Sequence, residues 1–534
     1  MTGEVIRVGN ASGFYGDRFS AMTEMLTGGE LDYLTGDYLA ELTMLILGRD
    51  LLKDPTRGYA KTFLRQLREN LALAKEKRVR IVANAGGLNP LGLADAVRAL
   101  ADELGVDAKI AHVTGDDLRA NAAEFALGNP LTANAYLGAW GIVECLRADA
   151  DVVITGRVTD ASLVVGPAAA HFGWARDDYD KLAGAVVAGH VIECGPQATG
   201  GNFAFFTELQ SAGKTLVRPG FPIAEVDEDG SSVITKHPNT DGAVTVGTIT
   251  AQLLYEIAGA RYPGPDVTAR FDTITLAPDG DGVDRVRITG VRGEPPPPTL
   301  KVGMNTIGGF RNAVTFVLTG LDIDAKADLI KRQISVALQD NPPAELSWTL
   351  ARTDHEDART EQEASALLHC VARDADPAVV GRPFSSAAVE LALASYPGFT
   401  LTAPPADAAP YGVFTSAAVD ASAVPHIATL PDSSTVDIPA AGDTRELSDV
   451  DEPALPKPLH DTKSQIVNKT RRLPLGTIVG ARSGDKGGSA NLGVWVRSSG
   501  AGVPQNTDDA WRWLANYLTV DELRRLLPET AELD

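Results

Sequence analysis

Three short apolar runs, each ending in a polar turn that contains glycine, constrain most what this chain can fold into. Residues 4–8 (EVIRV), 80–84 (RIVAN) and 151–155 (DVVIT) have strand length and are rich in aliphatic side chains. They lead into GNASGFYGDR (9–18), AGGLNP (85–90) and GRVTD (156–160), after which helical patterns follow. Apolar runs of this kind read as buried strands. Strands alternating with helices predict a parallel sheet covered on both faces. Open sheets of this type bind ligands at the carboxyl edge of their strands.

The expected fold class is α/β, with a Rossmann-like parallel domain over residues 1–202. A second α+β domain is expected over 203–439, opening with hairpins about residues 227–230 and 279–282. Residues 132–146 read as one apolar helix, 203–208 as a strand or buried connection, and 361–371 as a further helix. Residues 440–464 are acidic, proline-rich and poor in aromatics, which marks a linker. A small unit over 465–534 ends the chain, with strands over 475–481 and 491–496 around the loop RSGDKGG (482–488).

Composition narrows the function classes. The 534 residues carry 48 basic against 70 acidic side chains, a net charge of −22, without a basic run interleaved with aromatics. Nucleic acid is therefore not an expected partner. No apolar run reaches the roughly 20 residues that span a bilayer, so no membrane partner is expected. Cys145, Cys194 and Cys370 form no disulfide framework, which points to a reducing cytoplasm. The eight histidines show no metal-ligand spacing, and no metal is expected.

The residues that carry chemistry gather between positions 150 and 202. Glu193 and Cys194 stand beside Thr199-Gly200-Gly201-Asn202, an acid and a thiol next to an amide-exposing turn. A carboxylate beside a thiol disfavours the thiolate, so Glu193 reads as a general base and Cys194 as support or as a nucleophile helped by a nearby cation. Asp160 completes the catalytic candidates. Arg157 stands three residues before Asp160, so it reads either as a structural ion pair or as a substrate clamp. Lys236-His237 before a proline and Asp485-Lys486 near the carboxyl terminus are further binding candidates. The loop after the first strand, with Gly13, Gly16 and Asp17, is an anion-binding candidate or a tight turn. Its glycine spacing is not the dinucleotide fingerprint. Asp37 reads as a helix N-cap or a site residue.

Several stretches resemble one family, the acyclic terpene utilisation (AtuA) proteins. They are the loop 9–18, ITGRVTDASL (154–163), HFGW (171–174), IECGPQATGGNF (192–203), TKHPNTDG (235–242) and YEI at Tyr255. ARSGDKGGSANLGV (481–494) resembles the small C-terminal domain that often ends these chains. The resemblance implies a core followed by a ferredoxin-like α+β domain. It also implies a setting among acyl-CoA carboxylases, acyl-CoA dehydrogenases and enoyl-CoA hydratases. Two functions follow as expectations. One is a hydro-lyase or isomerase working next to the carbonyl of a carboxylate or acyl-CoA. Arg157, Lys236 or Lys486 would hold the acid there, and the amides of 200–202 an enolate. The other is a non-catalytic scaffold partner of an acyl-CoA carboxylase-type complex. No cofactor is expected beyond CoA as part of the substrate, and a homo-oligomer is the default.

Overall fold

A computed structural model describes residues 5–448, 473–486, 489–497 and 507–533. Strands β1 (Val5–Asn10), β2 (Tyr33–Gly36), β3 (Arg80–Ala83), β4 (Ile110–Thr114) and β6 (Val152–Thr155) lie side by side in the order β1-β2-β3-β6-β4. All four pairings among them are parallel. Successive side chains of a strand point to opposite faces, so with both faces covered these strands carry apolar residues at successive positions, as in Ile81-Val82 and Val152-Val153-Ile154. Ile81, Val152 and Ile154 enter the core on one face of the sheet. Val82 and Val153 enter the core on the other.

The connecting helices begin and end where local chemistry dictates. Helix Pro90–Leu104 starts with proline in its first turn and an Asn89 side chain accepting from Gly92 N–H at 2.9 Å. Gly105 ends it in the left-handed conformation, which is open to glycine at little cost.

Both edges of the parallel core are extended by antiparallel strands. Next to β1 stand β7 (Pro222–Asp227), β8 (Ser232–Lys236), Val286–Thr289 and Thr275–Pro278, and next to β4 stand Ile427–Thr429 and Thr435–Asp437. The result is an eleven-stranded mixed sheet. The two hairpins expected to open a second domain after residue 202 are thus strands of the first sheet. Their apolar faces (Ala224, Val226, Ile234, Val286, Ile288) are buried in the core that also holds β1. The compact units fall elsewhere: residues 1–304 with 415–534, and residues 305–414.

Three elements differ from their sequence patterns. Residues 132–146 split into β5 (Thr132–Ala135) and a helix, Trp140–Arg147. The split follows from backbone pairing, since Ala135 N–H donates to Asp116 O and Leu118 N–H to Ala133 O. Residues 203–208 lead into a short helix, Phe206–Ser211. Residues 361–371 belong largely to a strand, Ser365–Asp374, in which Ala366, Leu368, Cys370 and Ala372 are buried at every second position.

In the smaller unit, that strand pairs with Glu345–Ala351 and with residues 310–319. The helices Ile323–Ala337 and Arg382–Glu390 supply Ile330, Ile334 and Phe384 to its core. Within the larger unit, residues 440–448 are held down: Arg445 pairs with Glu294 at 3.1 Å and donates its N–H to Pro296 O. The rest of the expected linker, 449–464, lies outside the described residues. Near the carboxyl terminus, Val479–Lys486 and Ser489–Val496 form a hairpin, so Arg482 to Lys486 are strand rather than loop. Helices Thr507–Tyr517 and Val520–Leu526 follow. A ferredoxin-like unit needs a four-stranded sheet; among the described residues this segment has the one hairpin. No described helix is long and apolar enough to cross a membrane.

Candidate active site

The loops that follow β1, β2 and β6 meet at the carboxyl edge of the sheet. There they border a cavity of ≈ 410 Å³. The β1 loop brings Gly13, Phe14 and Asp17, and the β2 loop brings Asp37 and Glu41. The β6 loop brings Arg157 and Asp160. Helix Tyr179–Ile192 ends at the same place and delivers Glu193 and Cys194, with Gln197, Gly201 and Asn202 in the turn that follows. Tyr255, Glu256 and Asp485 line the remaining side.

Packing between these segments is close. Asn10, the last residue of β1, donates from its side chain to the carbonyls of Ile192 and Glu193, at 2.5 and 2.9 Å. A Cβ on Gly13 would lie 2.7 Å from the Cys194 carbonyl carbon, so this approach requires glycine.

Glu193 is 5% exposed, and its Oε1 lies 3.4 Å from His190 Nδ1 one helical turn earlier. The His190 ring is fully buried beside Tyr262 and Phe271. Asp37 accepts from Asn84 Nδ2 at 2.6 Å and from Leu39 N–H at 3.1 Å. Burial pushes the Asp37 carboxyl well above the usual carboxylate range. Asp160 and Glu193 push the same way, against Arg157 and the Asn84 hydrogen bond. Burial also raises the Cys194 thiol well above its ordinary value, with Glu193, Glu256, Asp37 and Asp160 adding to the shift. The Tyr255 phenol is raised by burial, then by Cys194 and Glu256. At neutral pH the cavity therefore holds a thiol and a phenol in the protonated form, together with the Asp37 carboxyl, which keeps its proton to higher pH than a free carboxylic acid, in reach of carboxylates.

Arg157, 4% exposed, donates to Asp160 Oδ1 at 2.6 Å and to Leu39 O at 3.3 Å. Its guanidinium lies over the Tyr136 ring at 4.2 Å. The structure thus realises the ion-pair alternative for Arg157. Beneath it, Asp116 accepts from Arg157 N–H at 2.8 Å and from Asn134 Nδ2 at 2.7 Å.

Burial raises Asp116 to about 7 despite those hydrogen bonds. The shift has a consequence for stability. A carboxyl whose folded value lies above its unfolded one stabilises the fold below the unfolded value, and that contribution is lost as pH rises through the folded value. Melting temperature should accordingly fall from about pH 4 to about pH 7, and Asp116→Asn should flatten the fall. A melting temperature independent of pH across that window in the wild type would contradict the assignment.

Of the residues singled out in the sequence, Gly13, Asp17, Arg157, Asp160, Glu193, Cys194, Gly201, Asn202 and Asp485 line this cavity. Others have structural partners instead. Thr199 donates to the carbonyls of Pro196 and Gly220. The Gly200 and Gly201 amides donate to Gln197 O and Pro196 O, so they are not available to an enolate. Lys236 Nζ binds Thr240 O at 2.8 Å and pairs with Asp284 at 3.3 Å. His237 Nε2 lies 2.8 Å from Met25 O. Neither lines the cavity, and neither does Gly16. In the expected anion-binding loop, Asp17 itself occupies the amides, accepting from Gly13 N–H at 2.9 Å and Arg18 N–H at 2.7 Å. The Lys486 side chain lies outside the described residues.

Sequence reasoning missed Gln197, Glu41 and the Tyr255-Glu256 pair as site residues. The sequence did carry a signal for the pair, since YEI at Tyr255 is among the stretches that resemble AtuA proteins; the helix expected over 248–257 ends instead at Leu253. Asn202 and Glu256 both hold positive φ, +58° and +57°. Non-glycine residues in this conformation concentrate at functional sites.

An α/β fold with an acid-rich cavity at the carboxyl edge of its parallel strands defines the class. Within it, the chain belongs to the acyclic terpene utilisation family, AtuA, whose family model matches residues 6–430. Neither the curated proteins nor the solved structures contain a match to the chain. Among the described residues no group of three or more His, Cys, Asp or Glu has metal-holding geometry.

Proposed function

We propose that this member of a terpene-utilisation family is an acid–base enzyme acting next to the carbonyl of an acyl thioester, adding or removing water or shifting a double bond. The observation that carries the reading is the placement of Asp37, whose carboxyl burial pushes well above the usual range, with Glu193 in one cavity. Glu193, backed by His190, takes the proton. Asp37 and the Tyr255 phenol donate hydrogen bonds to the oxygen on which charge develops, a role the Gly200 and Gly201 amides cannot fill. Cys194, a neutral thiol, supports the pocket wall rather than attacking. The clustering of these groups in one cleft favours the enzyme over a scaffold.

Electrostatics favours the thioester over the free acid. Asp17, Asp37, Glu41, Asp160, Glu193, Glu256 and Asp485 line the cavity with Arg157, whose charge is already committed to Asp160. A substrate carboxylate entering there meets like charge at short range in a poorly solvated space. A neighbouring cavity of ≈ 800 Å³ shares Asp160 and Glu256 and is walled by Tyr262, Pro263, Pro297, Leu300 and Ala417. It provides room for an apolar acyl chain.

The test is incubation with a methyl-branched 2-enoyl thioester in deuterated water, followed by mass spectrometry. Deuterium should enter next to the carbonyl or the double bond with wild type, and much more slowly with the free acid. No exchange and no water addition across a panel of branched and linear enoyl thioesters would overturn the proposal.

A further inference from the structure

We infer that Asn491, on the C-terminal hairpin, is a positioning residue of this site: it fixes the backbone of Glu256 and so completes the acid–base cavity. The inference rests on the acid–base reading of the cavity for its kinetic consequences and on geometry for the rest. Helix Val246–Leu253 ends in the cavity wall, and three residues later Glu256 turns to φ +57°. A glutamate keeps that conformation only where its surroundings hold it there. The Asn491 side chain supplies the hold. Its Oδ1 accepts from Glu256 N–H at 2.9 Å, while its Nδ2 donates to Leu254 O at 2.8 Å. One amide thus brackets the turn from both sides.

The hairpin is pressed against this turn along its length. The Arg482 guanidinium stacks over the Tyr255 ring at 4.4 Å and hydrogen-bonds Gln197 Oε1 in the opposite wall. Gly484 lies so close that a Cβ would stand 2.6 Å from the Tyr255 ring. Asp485 reaches the cavity itself. Arg497, 7% exposed, anchors the far end through Glu208 at 2.6 Å and the Phe205 ring at 3.9 Å. Mere attachment is therefore supplied by Arg482 and Arg497, which leaves the Asn491 bracket to set the turn. The hairpin lies beyond the residues matched by the family model.

Asn491→Ala in the full-length chain tests this in two ways. Without any substrate, amide hydrogen exchange in the 254–257 segment should quicken by roughly tenfold or more, since the Glu256 N–H loses its acceptor. Alkylation of Cys194 by iodoacetamide should quicken with it, against fully buried Cys145 and Cys370 as internal controls. With a thioester substrate, kcat should fall by roughly 10²-fold, the usual cost of misplacing a group at the chemistry, here the Tyr255 phenol between the two bracketed residues, by about an ångström, with little change in KM. The double variant with Tyr255→Phe should be no slower than Tyr255→Phe alone, because both act on one group. Unchanged exchange at 254–257, or losses that multiply in the double variant, would overturn the inference. If wild type turns over no thioester, the acid–base proposal falls, and the exchange and alkylation results still decide the role of Asn491.

Discussion

Glu193→Gln should lower turnover by roughly 10²–10⁴-fold, the contribution of a positioned general base. The replacement keeps the shape of the side chain and its ability to accept a hydrogen bond, so melting temperature should hardly move. What it removes is the negative charge that takes the proton. It also removes a like charge that raises both Asp37 and Cys194, so the pKa of each should drop in the variant. Cys194→Ser makes a useful contrast. A neutral thiol lining the wall loses little when replaced by a hydroxyl, whereas a thiol nucleophile loses nearly all turnover. Steady-state rates with one thioester substrate separate the cases, and a fully active Glu193→Gln enzyme would remove Glu193 from the mechanism. Asp37→Asn should be impaired through the opposite partner. An alkaline limb is expected in the wild-type rate profile from loss of the Asp37 proton, and that limb should be absent from the residual activity of the Asn variant.

Arg157→Met should destabilise the fold by about 3–5 kcal/mol, the range found when one partner of a buried ion pair is removed. The magnitude follows from burial: the side-chain exposures are 4% for Arg157 and 15% for Asp160. Removing the guanidinium leaves Asp160 facing Asp37 and Glu193 without its counter-charge, and the Tyr136 ring loses the cation stacked on it. Asp160→Asn in the same chain should restore a large part of the loss, because it removes the stranded charge. Thermal or denaturant unfolding of the single and double variants measures both quantities. A single variant as stable as wild type would show that the pair contributes nothing, as many exposed pairs do.

The parallel core was legible because its strands are apolar on both faces and end in glycine-bearing turns. Runs such as DVVIT have no other place than a sheet buried on both sides. Arg157, Asp160, Glu193 and Cys194 were legible for a related reason, since they lie just past strand and helix ends that the topology brings to one edge. What the sequence hid was pairing over distance. Nothing local to 222–236 says that these strands join β1 rather than form their own sheet. Lys236 and His237 looked available because their partners, Asp284 and Met25, are far away in the chain. Strand Ser365–Asp374 resembled a helix because its outward positions carry leucine, histidine and valine instead of charge. Asp37 looked like a helix cap because capping and burial call for the same residue type. Its burial against Asn84 and Glu193 depends on strands that sequence alone does not align.

The account turns on the protonation state of Asp37, and infrared difference spectroscopy of wild type against Asp37→Asn at neutral pH measures it most directly. A protonated carboxylic acid stretch present in wild type and missing from the variant is the predicted result. A difference spectrum showing only loss of an ionised carboxylate would mean that Asp37 carries no proton to donate, and the acid–base pairing with Glu193 would be contradicted.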